Sequence, residues 1–447
     1  MSFWLVETEQ QLNKLSFNKD CYINIITLNH NYHPLLTSVS LIYYRNLEDN
    51  KGFMFSINHN DGFELNIEIV KKFLLKHPKI YCLYKKDLIY LLGNDFLIDR
   101  VIDINLLHLE ESLYKLEIPN YKQTVAKYIE SSFKSHPKLN SFIPITKHYE
   151  EQEYIYYYIQ DYIGKILKNN WYNQDYIKSI YFIEKQGISL NISDFNEYFS
   201  IVYPKFNIKD KIIYSNYNIY NFTGRPTNSF NGVNFAALKK GDGTRKSFGC
   251  KNNYLFEFDY SSFHLYLIAK LINYEFEEED IHTYFGKMYF EKDKLTEEEY
   301  QQSKFISFQQ TYGTVKKKYE HIEFFKLMKI YIEQLWEETH KLGYLELKGG
   351  RQLKLEEIIE PSPAKLFNYL IQSMETYYII ESIKKLIPYL ENKKSFLILT
   401  TYDSILLDYN VEDGKELLKD IKKIIESNGF KIKVSYGKNY GELIKIK

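Results

Sequence analysis

Two apolar runs, each closing on an aspartate, constrain this chain more than any other feature. The first, Tyr254-Leu-Phe-Glu-Phe-Asp259, has the composition of a strand, and a helix-compatible stretch from Phe263 to Ile272 follows it. The second runs from Ser395 to Tyr402-Asp403-Ser404 and on through Ile-Leu-Leu-Asp, two apolar strands around a short polar turn. If these strands pair in one sheet, Asp259 and Asp403 can share a pair of divalent cations. Phosphoryl transfer uses such a clamp, because its attacking and leaving oxygens both carry developing charge. Magnesium suits carboxylate and phosphate oxygens. Taken alone, either aspartate reads more readily as a turn former or a helix cap.

Other segments around this pair carry side chains suited to a nucleotide. Thr296-Glu-Glu-Glu299 has the form of a capping box, and the helix it opens carries Lys304, Phe308 and Tyr312 before Gly313. A spacing of four sets the three on one face, drifting by about 40° per step. They could grip a triphosphate and pack a sugar and base, or form a core stripe with an extended lysine. Ser362 before Pro363 predicts a helix start, and that helix carries Asn368 and Gln372 on one face, amides suited to the minor groove or simply to solvent. The loop Lys239-Lys-Gly-Asp-Gly-Thr-Arg245-Lys246 is basic and glycine-rich, but lacks the Walker pattern.

Composition sets outer bounds. The 447 residues allow two to four domains, and no run of about 18 apolar residues predicts a membrane span. The N-terminus, MSFWLVETEQQ, has no secretory pattern, and Cys21, Cys82 and Cys250 lie far apart in no metal-ligand spacing. A reducing, cytoplasmic setting is expected. The formal net charge is zero, so any nucleic-acid contact rests on a local basic surface. Strand-like runs at Cys21–Leu28 and Thr37–Tyr44, then helical patterns at Ile67–Lys76 and Glu150–Lys168, predict a sheet with packed helices up to about residue 165.

Read in order, these segments resemble the family A DNA polymerases across roughly residues 175 to 447. Asp259-Tyr-Ser-Ser-Phe-His264-Leu is similar to motif A (DYSQIEL). Lys304-x3-Phe308-x3-Tyr312-Gly313 is similar to motif B, and Tyr402-Asp403-Ser404 stands where motif C has HDE. Thr223-Gly224-Arg225 with Asn231 to Phe235 resembles TGR…NLQNI, and Asp280-Ile-His282-Thr283 resembles DIHT. Gly343-Tyr-Leu-Glu…Gly350-Arg351 resembles GYVET…GR, and Asn368-x3-Gln372 has the spacing of the amides near the primer terminus.

The resemblance implies a multi-domain α/β chain. An RNase H-like, exonuclease-type domain over 1–165 would be followed by a reduced thumb or connector over 166–220. A right-hand palm and fingers would span 221–447, with fingers from about 270 to 345. It implies primer-dependent DNA synthesis with two magnesium ions, manganese being able to substitute. Asp259, Tyr260 and Asp403 would hold the metals. Tyr260, His264, His282, Lys304, Phe308 and Tyr312 would bind the nucleotide. Arg225, Asn231, Arg245, Gly313, Arg351, Asn368 and Gln372 would contact DNA. The implied partners are primer-template DNA and deoxynucleoside triphosphates, with a processivity or replisome partner left open. A monomer is expected, near the nucleoid or in a host cytoplasm if virus-encoded.

The departures carry expectations too. His264 stands where motif A has glutamate, Ser404 where motif C has glutamate, and Tyr300 where motif B begins with arginine. Sugar selection is expected to survive with His264, and Phe308 implies poor use of dideoxynucleotides. In the N-terminal region Cys21-Tyr-Ile-Asn24-Ile-Ile26-Thr27 aligns with FDIET, so Asn24 and Ile26 replace its two acids. Asp87, Asp103 and Asp161 fit later exonuclease positions, and no 3′–5′ exonuclease activity is expected. Only 37 residues separate Gly187 from Arg225, too few for the usual thumb hairpin, so distributive synthesis is expected. A single-subunit RNA polymerase and a non-catalytic DNA-binding relic are the alternatives.

Overall fold

The computed structural model describes residues 4–112, 114, 116–119, 121, 136–168, 170–202, 211–228, 233–277, 280–313 and 315–446. They form two compact units, Met1–Tyr181 and Phe182–Lys447. The expected Glu150–Lys168 helix runs instead over Ile145–Ile159, ending in a short 3-10 turn at Gln160–Tyr162.

The first unit is built on a six-stranded mixed sheet. Strand Cys21–Thr27 lies at its centre, antiparallel to Val39–Asn46 and parallel to Ile80–Cys82. Beyond these lie Lys51–Ser56 and Trp4–Val6 on one side, and Val101–Asp103 on the other. Cys21–Thr27 and Val39–Asn46 are mostly buried, matching their almost continuous apolar runs. Tyrosines fill much of the core: Tyr22, Tyr43, Tyr44 and Tyr81 are fully buried. Tyr43 and Arg45 meet Glu153 on the Ile145–Ile159 helix, with Arg45 Nη1 2.7 and 2.8 Å from its two carboxylate oxygens.

In the second unit a five-stranded antiparallel sheet carries the chemistry. Its order is Phe396–Thr401, Ser404–Tyr409, Tyr254–Tyr260, Ile432–Gly437 and Ile444–Lys445. The two apolar runs of the sequence do pair, with Tyr254–Tyr260 between Ser404–Tyr409 and Ile432–Gly437. The long Pro363–Leu390 helix and the Phe263–Leu271 helix pack together. Ser362 caps the former as expected, accepting from Lys365 N at 3.3 Å with Pro363 at the first helical position. Helices Ile281–Phe290, Glu297–Tyr312 and Glu323–Leu342 make up the region expected to be fingers. The stretch expected to be a reduced thumb or connector holds both helix and strand. After Ile177–Glu184 it contains the short strands Ile188–Leu190, Ile212–Ile213 and Tyr217–Asn218.

Candidate active site

Register brings the two aspartates together. Asp259 is the cross-strand partner of Ser404, and Tyr260 N donates to Asp403 O at 3.0 Å, so Asp259 on its strand and Asp403 in the turn before Ser404–Tyr409 meet at one end of the sheet. Two residues beside them hold left-handed backbone: Tyr402 at φ 60° and Ser262 at φ 47°. For non-glycine residues this costs about 1 kcal/mol each, a strain that often accompanies a site whose geometry is over-determined. Burial, then the charges of Asp403 and Glu257, raises the Asp259 carboxyl to about 7. Burial and the Glu375 carboxylate raise Asp403 to about 6. Both acids line a cavity of about 400 Å³ together with Arg225, His264, His282, Lys304, Phe308 and Tyr312.

The Glu297–Tyr312 helix forms one wall. Its capping box is present, with Thr296 Oγ1 accepting from Glu299 N and Glu299 Oε2 accepting from Thr296 N. Phe308 and Tyr312 are each 42% exposed and nearly parallel, with centroids 6.0 Å apart, so they are pocket walls and not a core stripe. Gly313 ends the helix, and a Cβ there would sit 2.8 Å from Gln309 O. Tyr300, one turn before Lys304, places its ring 4.5 Å from the Lys304 ammonium and donates its hydroxyl to Asp280 at 3.1 Å. His282 Nε2 meets Ser262 Oγ at 3.2 Å, while its Nδ1 is buried without a hydrogen bond among the described residues. Burial and the Lys304 charge lower its pKa to about 4, so His282 is neutral near pH 7.

A buried carboxylate that the sequence reading passed over organises the opposite wall. Glu375, on the Pro363–Leu390 helix, is 2% exposed. Its Oε1 lies 3.0 Å from His264 Nε2, and its Oε2 lies 2.7 Å from Arg225 Nε. Burial alone would raise the carboxyl, but His264 and Arg225 together hold it below its ordinary value. His264 Nδ1 in turn meets the Tyr312 hydroxyl at 2.6 Å, and Asn368 Nδ2 donates to Tyr312 O at 3.2 Å. The Arg225 guanidinium also stacks over the Tyr402 ring at 3.6 Å. Lys433, likewise unforeseen, lines the pocket from the Ile432–Gly437 strand. A single lysine in a strand near the end of the chain carries no sequence signal; only the register reveals it.

Several expected site residues occupy other surroundings. The Tyr260 ring is buried and its hydroxyl lies 2.8 Å from Ser382 Oγ, so this residue could offer a cation only its main-chain oxygen. Arg351 is 5% exposed and donates to Asn221 O at 2.6 Å, bracing the loop that leads to Arg225. Arg245 donates to Leu238 O at 2.9 Å and lies over the Tyr440 ring, and Lys246 pairs with Glu442 at 2.7 Å. Gln372 is half-buried on the Asn368 helix, and Asn231 lies outside the described residues. In the first unit Asn24 Nδ2 donates to Gln152 Oε1 at 2.6 Å and Ile26 is buried. Asp103 spends both oxygens on the main-chain N–H groups of Leu106 and Lys85.

No family model and no curated protein matches the chain. Among solved structures it is similar to the POL domain of Pol1 from M. smegmatis in complex with DNA primer-template and dNTP. The TM-score is 0.71 and the identity 12%, over 97% of each chain. The chain therefore has a multi-domain α/β architecture of the Pol1 kind, kept at an identity too low to speak for more than the fold. Among the described residues no helix is long and apolar enough to cross a membrane.

Proposed function

We propose that the chain is a template-directed, primer-dependent DNA polymerase that joins deoxynucleotides and lacks a proofreading exonuclease. One observation carries this reading: a single pocket joins Asp259 and Asp403 to Lys304, Phe308 and Tyr312 on the facing helix. The likeness to Pol1 bound to DNA and dNTP supports it at the level of fold.

The donor set fits magnesium. Among the described residues no group of three His, Cys, Asp or Glu side chains is arranged for a metal, but magnesium is commonly held by one or two carboxylates, with water and substrate phosphates completing its shell. Asp259 and Asp403 would hold it, with the Tyr260 carbonyl as a further oxygen. When bound, a divalent pair lowers the pKa of the attacking 3′-hydroxyl and neutralises the departing pyrophosphate. The protein's own groups do the rest. Lys304 carries charge to the triphosphate and His282 donates a hydrogen bond. Phe308 and Tyr312 order the nascent pair, and Arg225, Asn368 and Gln372 meet the primer terminus.

The N-terminal unit reads as an exonuclease-type domain whose metal-binding acids are gone, leaving a structural or DNA-guiding part. The test is magnesium-dependent primer extension, run beside an unprimed reaction with ribonucleotides to separate an RNA polymerase. Asp403→Ala abolishes extension and leaves primer-template binding largely intact. Extension retained by that variant removes Asp403 from the reaction.

A further inference from the structure

In the sheet that carries the acids, three adjacent strands set Ser404, Asp259 and Lys433 abreast in one row. Cross-strand partners project from the same face, so the Lys433 side chain leaves the sheet beside the Asp259 carboxylate. It is exposed, and its ammonium makes no hydrogen bond or ion pair with the described residues. Lys304, on the facing helix, has its pKa lowered by burial and then by the like charges of Lys433 and Lys445. Of the acids near these lysines, Asp259 faces Lys433 across the strands, and Asp280 is already engaged by the main-chain N–H groups of His282 and Thr283 and by the Tyr300 hydroxyl. Lys304 and Lys433, from separate elements, thus line the same pocket. Crowding of like charge is unfavourable in an empty pocket, and a bound polyanion relieves it.

The two ends of the pocket differ in chemistry. Arg225, His264 and Tyr312 are tied to Glu375 or to one another at one end, whereas His282, Lys304 and Lys433 stand at the other. We infer that Lys433 binds the polyphosphate tail of the incoming nucleoside triphosphate, supplying the cation that the Glu297–Tyr312 helix lacks where Tyr300 stands. The inference rests on the polymerase reading and adds to it a residue that no motif assigns.

The experiment uses the full chain with Lys433→Ala and Lys433→Arg. Single-nucleotide extension is measured against deoxynucleotide concentration, primer-template affinity against salt, and binding of inorganic tripolyphosphate to each protein without DNA. Losing one charge-assisted contact raises the nucleotide KM about tenfold in Lys433→Ala. The kcat changes little, tripolyphosphate binding weakens to a similar degree, and Lys433→Arg recovers most of both. Unchanged KM and unchanged tripolyphosphate binding overturn the inference. So does weakened primer-template binding with a shallower salt dependence at constant nucleotide KM, which assigns Lys433 to a DNA phosphate. If the wild-type chain extends no primer, the polymerase reading falls, and the tripolyphosphate arm still decides whether Lys433 is a polyphosphate ligand.

Discussion

Replacing Glu375 tests whether one buried charge holds a whole wall of the pocket. The carboxylate is 3.0 Å from His264 and 2.7 Å from Arg225, and the Arg225 side chain is itself only 24% exposed. Removing one member of a buried ion pair costs about 3–5 kcal/mol, because the partner's charge stays buried and unmatched. Arg225 keeps its stack on Tyr402 and some access to water. Glu375→Ala should therefore fall at the low end, about 3 kcal/mol. Glu375→Gln keeps the volume and one acceptor, so a loss of about 1.5 kcal/mol is expected. Pairing Glu375→Leu with Arg225→Met removes both charges and should recover much of the loss. The chain has three tryptophans, and Trp336 lies in the second unit whereas Trp4 and Trp171 lie in the first. With Trp4 and Trp171 replaced by Phe, urea unfolding followed by Trp336 fluorescence reports on the second unit alone. A Glu375→Ala midpoint within about 0.5 kcal/mol of the parent refutes the anchoring role, since that is the range of an ordinary surface substitution.

Further outcomes follow from the same structure. His148 is buried with Nε2 on Asn140 O at 2.9 Å, and burial, opposed by that carbonyl and aided by the neighbouring His59 and His30, lowers its pKa to about 4. The unfolded chain, with a histidine pKa near 6.5, then binds the proton more readily. Stability is present above about pH 6.5 and is lost as pH falls toward 4, by about 2 kcal/mol at pH 5. Urea titrations of the parent and of His148→Gln at pH 7 and 5 check this, and an equal pH slope in both sinks it. Incubation with magnesium and a labelled single strand should give no shortening, and shortening that disappears in Asp161→Ala would restore exonuclease chemistry to the first unit. With a trap that limits each enzyme to one encounter, products should be short. Phe308→Tyr should improve incorporation of dideoxynucleotides, measured as termination against extension at matched concentrations.

What could be read from the chain in advance was what local chemistry dictates. The turn at Tyr402-Asp403 lies between two apolar runs, and both its strands formed because such runs bury readily on a sheet. Thr296 and Glu299 signalled a helix start through a capping box, which needs no tertiary partner. Glu375 gave no such signal. It is one acid inside the 28-residue Pro363–Leu390 helix, and its meaning depends on His264 and Arg225, more than a hundred positions away in the chain. Arg351 is a case of the same kind: its resemblance to a DNA-contacting arginine is local, whereas its bond to the Asn221 carbonyl appears only in the fold.

The same logic explains the two substitutions that looked most damaging. His264 and Ser404 each stand where the resembled motifs carry an acid, which on paper removes two charges from the site. In the fold a carboxylate re-enters from the Pro363–Leu390 helix at Glu375 and engages His264 directly. Asp403 feels it as well, since Glu375 contributes to raising its pKa. Charge around the pocket is thus set by which side chains the fold gathers, whichever motif position they come from. A reading confined to motif positions would miss the carboxylate that the Pro363–Leu390 helix brings to this wall.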